Sequence, residues 1–138
     1  MMNVAIICLA LNIYHEARNQ PVAGQIAVSE VVLNRVADSK YPNTICEVVY
    51  QAKYKKGSNL PIRNQCQFSW YCDGKSDKPT DIDAYRWALT LSDRILSGEF
   101  APITDGALNY HSTKVSPKWK TKKKKIALIE DHVFYKRK

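Results

Sequence analysis

The chain has 138 residues, 45% hydrophobic and 25% charged, which are ordinary proportions for a soluble globular domain. They exclude a disordered, fibrous or membrane-spanning protein as the main class, because no apolar run approaches the roughly 20 residues of a membrane helix. The 21 lysines and arginines outnumber the 13 acidic residues and give a net charge of +8. This charge predicts affinity for a polyanion: nucleic acid, an anionic cell-wall polymer or a membrane surface.

The first predicted helix covers residues 3–18, where apolar residues recur at helical spacing before Asn19-Gln20-Pro21 ends it. Its apolar part, residues 4–11, superficially resembles the hydrophobic region of a signal peptide. No positively charged residue precedes this part and no clean cleavage site follows it, so we interpret it as a core helix. We therefore expect synthesis in the cytoplasm without a recognisable signal peptide.

Three further helices are predicted. Pro21 suits the first turn of a second helix over about 21–38, which has enough apolar residues to be central in the fold. Thr44 and Glu47 have the spacing of a capping box and predict a short third helix. A fourth helix is predicted over about 82–97, with Gly98 ending it.

The remaining segments predict loops and a small sheet. Residues 53–80 are polar and basic and predict a long irregular loop. The stretches 107–111 and 126–135 are rich in β-forming residues and predict a small antiparallel sheet. The lysine run Lys118–Lys125 lies between them and predicts a basic, solvated hairpin tip. The predicted fold class is α+β, with N-terminal helices and a small C-terminal sheet in one domain, 1–138.

The four cysteines leave the redox state open. Cys8 lies in the apolar helix, and we interpret it as a small buried hydrophobic residue. A disulfide among Cys46, Cys66 and Cys72 is one alternative, with the pairing undetermined, and reduced thiols are the other. The spacing of Cys66 and Cys72 does not match the cysteine pairs of structural zinc sites.

Glu16 is the first candidate for chemistry. His15-Glu16 suggests a zinc protease, but the HExxH pattern requires histidine where this chain has Asn19, so no metal or cofactor is expected. A composite site using His111 and His132 stays open. At the end of an apolar helix, burial would raise the pKa of the Glu16 carboxyl, as a general acid requires. The alternative is a structural ion pair with Arg18 or a lysine.

A longer ordered series of motifs resembles the SleB-type cell wall hydrolases, known from spore cortex-lytic enzymes, bacterial wall hydrolases and phage lysins. The series covers nearly the whole chain, so it is much more specific than a single short motif. Its segments are 14–28, 32–36, 41–46, 66–74, 105–107, 110–111, 117–119 and 132–135.

The resemblance implies a fold similar to lysozyme and lytic transglycosylases, and a catalytic acid at Glu16, within the Glu16-Ala17-Arg18 motif. The family usually has glycine after this motif, whereas this chain has Asn19, which tolerates left-handed backbone. The implied reaction is cleavage of the bond between N-acetylmuramic acid and N-acetylglucosamine in peptidoglycan. Hydrolysis and 1,6-anhydro ring formation both stay open. If a second carboxylate is used, the candidates are Asp73, Asp105 and Asp131.

Residue chemistry suggests a substrate-binding set. Aromatic faces match the apolar faces of sugars, and amide and hydroxyl groups bind their polar substituents. We expect Trp70 in the substrate groove and not in the core, whereas Phe68 and Tyr110 could be either. Asn34 and Arg35 are expected to orient the cleft. The candidate substrate-binding residues are Gln67, Phe68, Ser69, Trp70, Tyr110, His111 and Trp119.

Two non-enzymatic alternatives compete with this interpretation. A nucleic-acid-binding module would use the lysines of Lys118–Lys125 and the basic C-terminus, and a catalytically inactive domain would only bind the wall. The lysine run could also anchor an enzyme to anionic wall polymers or lipid head groups. We expect a monomer that acts on the wall after release or virion delivery, as a phage lysin, with a bacterial remodelling enzyme as the alternative.

Overall fold

The helical half of the fold is organised around its first helix. The computed structural model describes residues 3–138, so the first two residues of the predicted domain 1–138 lie outside the described part. Helix α1 spans Val4–Ala17, and Asn3 Oδ1 accepts the Ala5 N–H at 2.7 Å to cap it. Its residues Leu9, Ala10 and Ile13 are almost fully buried. Helix α1 therefore forms the centre of the helical layer.

Three other helices surround α1. Helix α2 spans Val22–Val36 and follows Pro21, and helix α4 spans Ile82–Leu96 with Asp81 as its N-cap. The short helix α3, Ile45–Val49, begins at Thr44, whose Oγ1 accepts the Glu47 N–H at 3.1 Å. All three pack against α1. The predicted helices are confirmed, with bounds that agree to within two residues for α1, α2 and α4.

The predicted loop at residues 53–80 is only partly irregular. A two-stranded antiparallel hairpin, β1 at Ala52–Tyr54 and β2 at Pro61–Cys66, occupies its first half. A single turn of 3-10 helix follows at Ser69–Tyr71. The expectation of a loop was wrong here because both strands are short and largely exposed, so they lack the alternation of buried and polar residues that identifies a strand.

The C-terminal part forms a three-stranded antiparallel sheet. Strand β3 is Asn109–Ser112, β4 is Lys123–Ile129 and β5 is His132–Arg137, in the spatial order β3-β5-β4. Tyr110 pairs with Phe134 across β3 and β5. Phe134 is fully buried against α2, so this face of the sheet covers the helices. The α+β class and the C-terminal antiparallel sheet are confirmed.

The lysine run does not form a hairpin tip. Lys118–Lys122 is a 3-10 helix, and the last three lysines belong to β4. The β4–β5 turn consists of Glu130 and Asp131, with Glu130 in the left-handed region at φ 50°. Several lysines are nevertheless exposed, among them Lys122, Lys124 and Lys125. The prediction of a basic loop was therefore wrong in conformation and correct in solvent exposure.

Two disulfides connect the four cysteines. Cys8 of α1 is bonded to Cys46 of α3, and Cys66 at the end of β2 is bonded to Cys72 after the 3-10 helix. The interpretation of Cys8 as an unpaired buried residue was wrong, as was the alternative of reduced thiols at Cys46, Cys66 and Cys72. Helical periodicity explains the burial of Cys8 but does not show which residue from α3 lies beside it.

The core consists of two clusters that meet at the end of α1. The first lies between α1, α3, α4 and the 3-10 helix, and the second lies between α2 and the sheet. Tyr110 packs against both clusters. Within residues 3–138, no helix is long and apolar enough to cross a membrane. The junction of the two clusters is where the polar groups of the candidate site lie.

Candidate active site

Glu16 lies in the last turn of α1, at the junction between helices and sheet. The helix ends one residue later, and the Gln20 N–H donates to the Ala17 carbonyl to close the turn. The Glu16 side chain is half-buried, and its Oε1 accepts a hydrogen bond from the Tyr110 hydroxyl at 2.5 Å. The strand β3 thus supplies a donor to a carboxyl from α1, across 94 residues of sequence.

The surroundings of Glu16 hold its proton more tightly than water does. Burial raises the pKa of the Glu16 carboxyl, and the hydrogen bond from Tyr110 and the charge of Arg35 lower it by less, so the net direction is upward. The pKa of the Tyr110 phenol is raised well above its ordinary value, mainly by burial and secondly by the negative charge of Glu16. Tyr110 therefore remains a hydrogen-bond donor, and Glu16 is suited to deliver a proton.

Two neighbouring residues of α2 attach β3 to the helices. Asn34 Nδ2 donates to the Ala107 carbonyl at 2.9 Å, and Arg35 Nε donates to the Leu108 carbonyl at 2.8 Å. Because Tyr110 follows two residues later, these bonds fix the start of the strand that presents its hydroxyl. This arrangement supports the expected orienting role of Asn34 and Arg35, and Arg35 also places a buried positive charge near Glu16.

Phe68 lies behind this arrangement as a core residue. It is 3% exposed, its ring centroid is 6.4 Å from that of Tyr110, and the Arg35 guanidinium carbon is 5.3 Å from its centroid. Of its two possible roles, the structure therefore favours packing. Gln67 and Ser69, on either side of Phe68, are exposed. They remain predicted substrate contacts.

Trp70 is a core residue, contrary to the expectation that it lies outside the core. It is 6% exposed, and its indole N–H donates to Asn12 Oδ1 at 2.9 Å within α1. Its ring stacks on His15 with centroids 4.5 Å apart. The polar neighbours of Trp70 in sequence suggested exposure, but its hydrogen-bond partner lies 58 residues earlier. A contact between the ring edge and substrate stays a prediction.

The structure separates His111 and Trp119 from Glu16. Successive residues of a strand point to opposite faces, so His111 faces away from the side on which Tyr110 meets Glu16. There the His111 ring stacks on Tyr135 at 5.3 Å, and Trp119 packs edge-on against both rings. These two predicted substrate contacts therefore form a second cluster on the outer face of the sheet.

The three candidate second carboxylates have different surroundings. Asp105 lies 3.5 Å from the Lys136 ammonium, and Asp131 accepts a hydrogen bond from Gln20 at 3.2 Å. Asp73 accepts the Lys75 N–H at 2.9 Å and lines a groove beside the last turn of α1. Asp73 is thus the candidate next to the part of α1 that contains Glu16, and its role stays a prediction.

Several buried polar residues that support the site were missed from sequence. Gln25 donates to the Ala17 carbonyl at 3.1 Å and accepts the Trp87 indole N–H at 2.8 Å, so it ties the end of α1 to α4. Glu30 accepts the backbone N–H groups of Ile103 and Thr104 and fixes the segment before β3. The available signal was the position of Gln25 and Glu30 among apolar residues of a central helix.

Within residues 3–138, no group of three or more histidine, cysteine or acidic side chains is close enough to hold a metal ion. His111 uses both ring nitrogens, toward the Ser112 carbonyl at 2.7 Å and the Tyr135 hydroxyl at 2.8 Å. The chemistry available at the site is therefore proton transfer by a shielded carboxyl with one phenolic donor and one buried guanidinium beside it.

Comparison with known proteins identifies the family. A family model described as Cell Wall Hydrolase matches residues 19–135. The chain belongs to this cell wall hydrolase family. The match begins three residues after Glu16, so the candidate acid lies just outside the matched range. The resemblance to SleB-type enzymes is confirmed.

Relatives and solved structures agree with this assignment. The chain is 40% identical over 45 residues to a spore cortex-lytic enzyme of Bacillus cereus and 39% identical over 49 residues to that of Bacillus subtilis. These matches cover 33% and 36% of the chain but only 17% and 16% of the relatives, so the chain spans a small part of their length.

Two catalytic-domain structures share the fold over almost the whole chain. One is the catalytic domain of the germination-specific lytic transglycosylase SleB from Bacillus anthracis, with a TM-score of 0.69 and 27% identity; the match covers 96% of this chain and 93% of that one. The other is the catalytic domain of SleB from Bacillus cereus, with a TM-score of 0.62 and 27% identity, covering 99% and 93%. The chain therefore has the fold of this catalytic domain.

Proposed function

We propose that this protein cleaves the glycan strands of peptidoglycan, with Glu16 as general acid and then general base. The observation that carries the proposal is the half-buried Glu16 carboxyl, which has a raised pKa and accepts a hydrogen bond from Tyr110. A general acid must hold its proton at the working pH and release it to a leaving oxygen within a shielded site. Membership of the cell wall hydrolase family, and the fold shared with a germination-specific lytic transglycosylase, support the substrate class.

The mechanism uses one carboxyl twice. Glu16 protonates the glycosidic oxygen as the bond to C1 of N-acetylmuramic acid breaks, and the resulting carboxylate accepts the hydrogen bond of Tyr110. The positive charge of Arg35 also favours the carboxylate form. Glu16 then removes the proton from the muramic 6-hydroxyl, whose oxygen bonds to C1 and closes a 1,6-anhydro ring. No water is consumed, so no second carboxylate is required.

Product analysis tests the reaction. Purified murein strands incubated with the protein are expected to yield fragments with 1,6-anhydromuramic ends, which are 18 Da lighter than the corresponding reducing ends (the mass of one water) by mass spectrometry. Reducing ends would replace the transglycosylase mechanism with hydrolysis, and Asp73 would become the first carboxylate to substitute. Intact strands would contradict the proposed function and favour a wall-binding role.

A second proposal concerns the lysines near β4. Lys122, Lys124 and Lys125 are exposed, and attraction between exposed charges weakens as salt reduces the Debye length from about 10 Å at 0.1 M to about 3 Å at 1 M. We propose that they attract the monomer to anionic wall polymers. Replacing all three by glutamine is expected to flatten the salt dependence of binding to whole walls.

The matched control replaces Lys53, Lys55 and Lys56, which are also exposed and lie at the β1–β2 hairpin, on a different element. It removes the same charge, so it corrects for the change in net charge alone. Equal effects of the two triple variants would mean that only total charge matters. Tight binding of the wild-type protein to duplex DNA but not to walls would instead support the nucleic-acid-binding alternative.

The proposed substrate lies outside the cytoplasmic membrane, so we propose that the protein acts at the cell wall after release from the producing cell or delivery in a virion. The action on peptidoglycan supports this location. Purified protein added from outside to cells with exposed peptidoglycan should lyse them. Lysis that occurs only when the protein is produced inside the cells would contradict the proposed location.

A further inference from the structure

A basic groove of about 240 Å³ lies beside the last turn of α1. His15 of α1 and Arg18, the residue after this helix, form one wall, and the segment 73–80 forms the other, with Trp70 at the base. His15 and Arg18 lie on either side of Glu16 in sequence, but successive helical residues point about 100° apart, so Glu16 turns toward Tyr110 and does not line the groove. The groove and the candidate acid therefore lie on different faces of the same end of α1.

The wall formed by residues 73–80 is fixed to α1 by hydrogen bonds. A ring nitrogen of His15, Nε2, lies 2.8 Å from the Asp77 carbonyl, and its ring is held in place by stacking on Trp70. The Tyr14 hydroxyl accepts the backbone N–H groups of Thr80 and Asp81, both at 3.0 Å, and these bonds lower the pKa of its phenol. The groove thus has a preformed shape although its outer wall is irregular.

The charges at the groove are predominantly positive. Three basic residues line the groove: Arg18, Lys75 and Lys78. The acidic residue in its lining is Asp73, whose Oδ1 accepts the Lys75 N–H. The Asp77 side chain points inward: its Oδ1 is buried, and burial raises the pKa of this carboxyl. Among the described residues, Lys75 and Lys78 form no ion pair, so both ammonium groups are available to an anion.

The substrate carries anionic groups that extend away from the reacting bond. The muramic residue that Glu16 is proposed to attack carries a lactyl group, and the attached stem peptide has free carboxylates. We propose that the groove binds a carboxylate of this stem peptide through Lys75, Lys78 and Arg18. The inference rests on the proposed function and adds a specificity: strands that carry stem peptides are cleaved in preference to strands from which the peptides have been removed.

The test compares two substrates prepared from the same peptidoglycan, one with stem peptides and one stripped by an amidase, which hydrolyses the lactyl–peptide amide and leaves only the lactyl carboxylate on each muramic residue. The measured quantity is the ratio of kcat/KM for the peptide-bearing strands to kcat/KM for the stripped strands. Replacing Lys75 and Lys78 together by glutamine is expected to lower this ratio about fivefold, or about 1 kcal/mol, because contacts between exposed charges are weak. Arginine at both positions should restore it.

Three results would overturn the inference. An unchanged ratio in the glutamine variant would show that the lysines do not contact the peptide. An equal fall of the ratio in the matched control, with Lys53 and Lys55 replaced by glutamine, would reduce the effect to net charge. The third result is a competition measurement on the wild-type protein. If soluble phosphate-containing wall polymer lowers the ratio and free stem peptide does not, the groove binds that polymer and not the peptide. Wild-type protein that cleaves neither substrate contradicts the proposed function itself, so the two failures are distinguishable.

Discussion

Replacing Trp70 should damage the fold more than it damages substrate binding. Trp70→Ala removes a ring that is 6% exposed and packs between His15 and Tyr50, and truncations of this kind cost about 3–5 kcal/mol. Trp70→Phe keeps most of the packing but leaves Asn12 Oδ1 without its donor, at a cost of about 1–3 kcal/mol. Because Asn12 Nδ2 also has no hydrogen-bond partner among residues 3–138, the Asn12 amide would then be buried without a side-chain hydrogen bond.

Thermal unfolding measures these differences. For a domain of this size, 1 kcal/mol corresponds to roughly 3–5 °C in Tm, so Trp70→Ala should lower Tm by at least about 9 °C. Asn12→Leu combined with Trp70→Phe should be more stable than the sum of the single changes predicts, because both polar partners are removed together. The matched control is Trp119→Phe, at a half-buried indole on the outer face of the sheet.

The reasoning about Trp70 is refuted by the opposite pattern. If Trp70→Ala lowers Tm by less than about 3 °C while glycan binding falls tenfold, Trp70 is a substrate contact and not a packing residue. Additive effects in the Asn12 and Trp70 double variant would show that the hydrogen bond contributes nothing to the stability of the buried pair.

Three further predictions concern the acid, the disulfides and the C-terminal strand. Glu16→Gln should lower turnover at least 100-fold, and equal turnover would reject Glu16 as the acid. Burial raises the folded-state pKa of Glu16 above its unfolded value, so the stability of the wild-type protein should fall as pH rises beyond about 4. The Glu16→Gln variant should show no such fall. Replacing Cys8 and Cys46 by alanine opens a loop of 38 residues and should lower the free energy of unfolding, measured in urea, by about 4 kcal/mol. Replacing Cys66 and Cys72, which are six residues apart, should lower it by about 2 kcal/mol. The reverse order would contradict the dependence on loop length. Hydrogen bonds from Arg137 lower the pKa of Asp38 to about 2, so the stability that this pair provides should be lost as pH falls from about 4 to about 2, and Asp38→Asn should remove that part of the acid dependence.

Local signals explain why the helices could be predicted from sequence. Apolar spacing, Pro21 and the Thr44 cap act within a few residues, and the observed helices begin and end close to the predicted positions. The hairpin of β1 and β2 has no such signal because its strands are short, exposed and interrupted at Asn64, which has a φ of 63°. The strand β4 was missed at its start because lysines have low strand propensity.

The candidate site could be predicted only in part. Glu16 was identified from the motif that it belongs to, whereas the apolar residues before it left two alternatives open: a half-buried carboxyl and a structural ion pair with Arg18 or a lysine. Its contact with Tyr110 joins two positions far apart in the chain, and no pattern in the sequence specifies such a pair. The burial of Trp70 and the pairing of Cys8 with Cys46 fail for the same reason: each depends on a partner supplied by a different element.

Within the described part of the chain, the order β3-β5-β4 leaves one side of β4 without a strand partner, so its backbone N–H and C=O groups could pair with a second molecule. Lys124 and Lys125 lie on this strand, the register shifts between Lys125 and Ala127, and Leu128 is 60% exposed. Charge repulsion and the irregularity both oppose strand addition, whereas Leu128 favours it. A polyanion that neutralises these lysines removes the repulsion, so wall polymer at low salt, where it binds the lysines most tightly, is the condition under which this protein should aggregate.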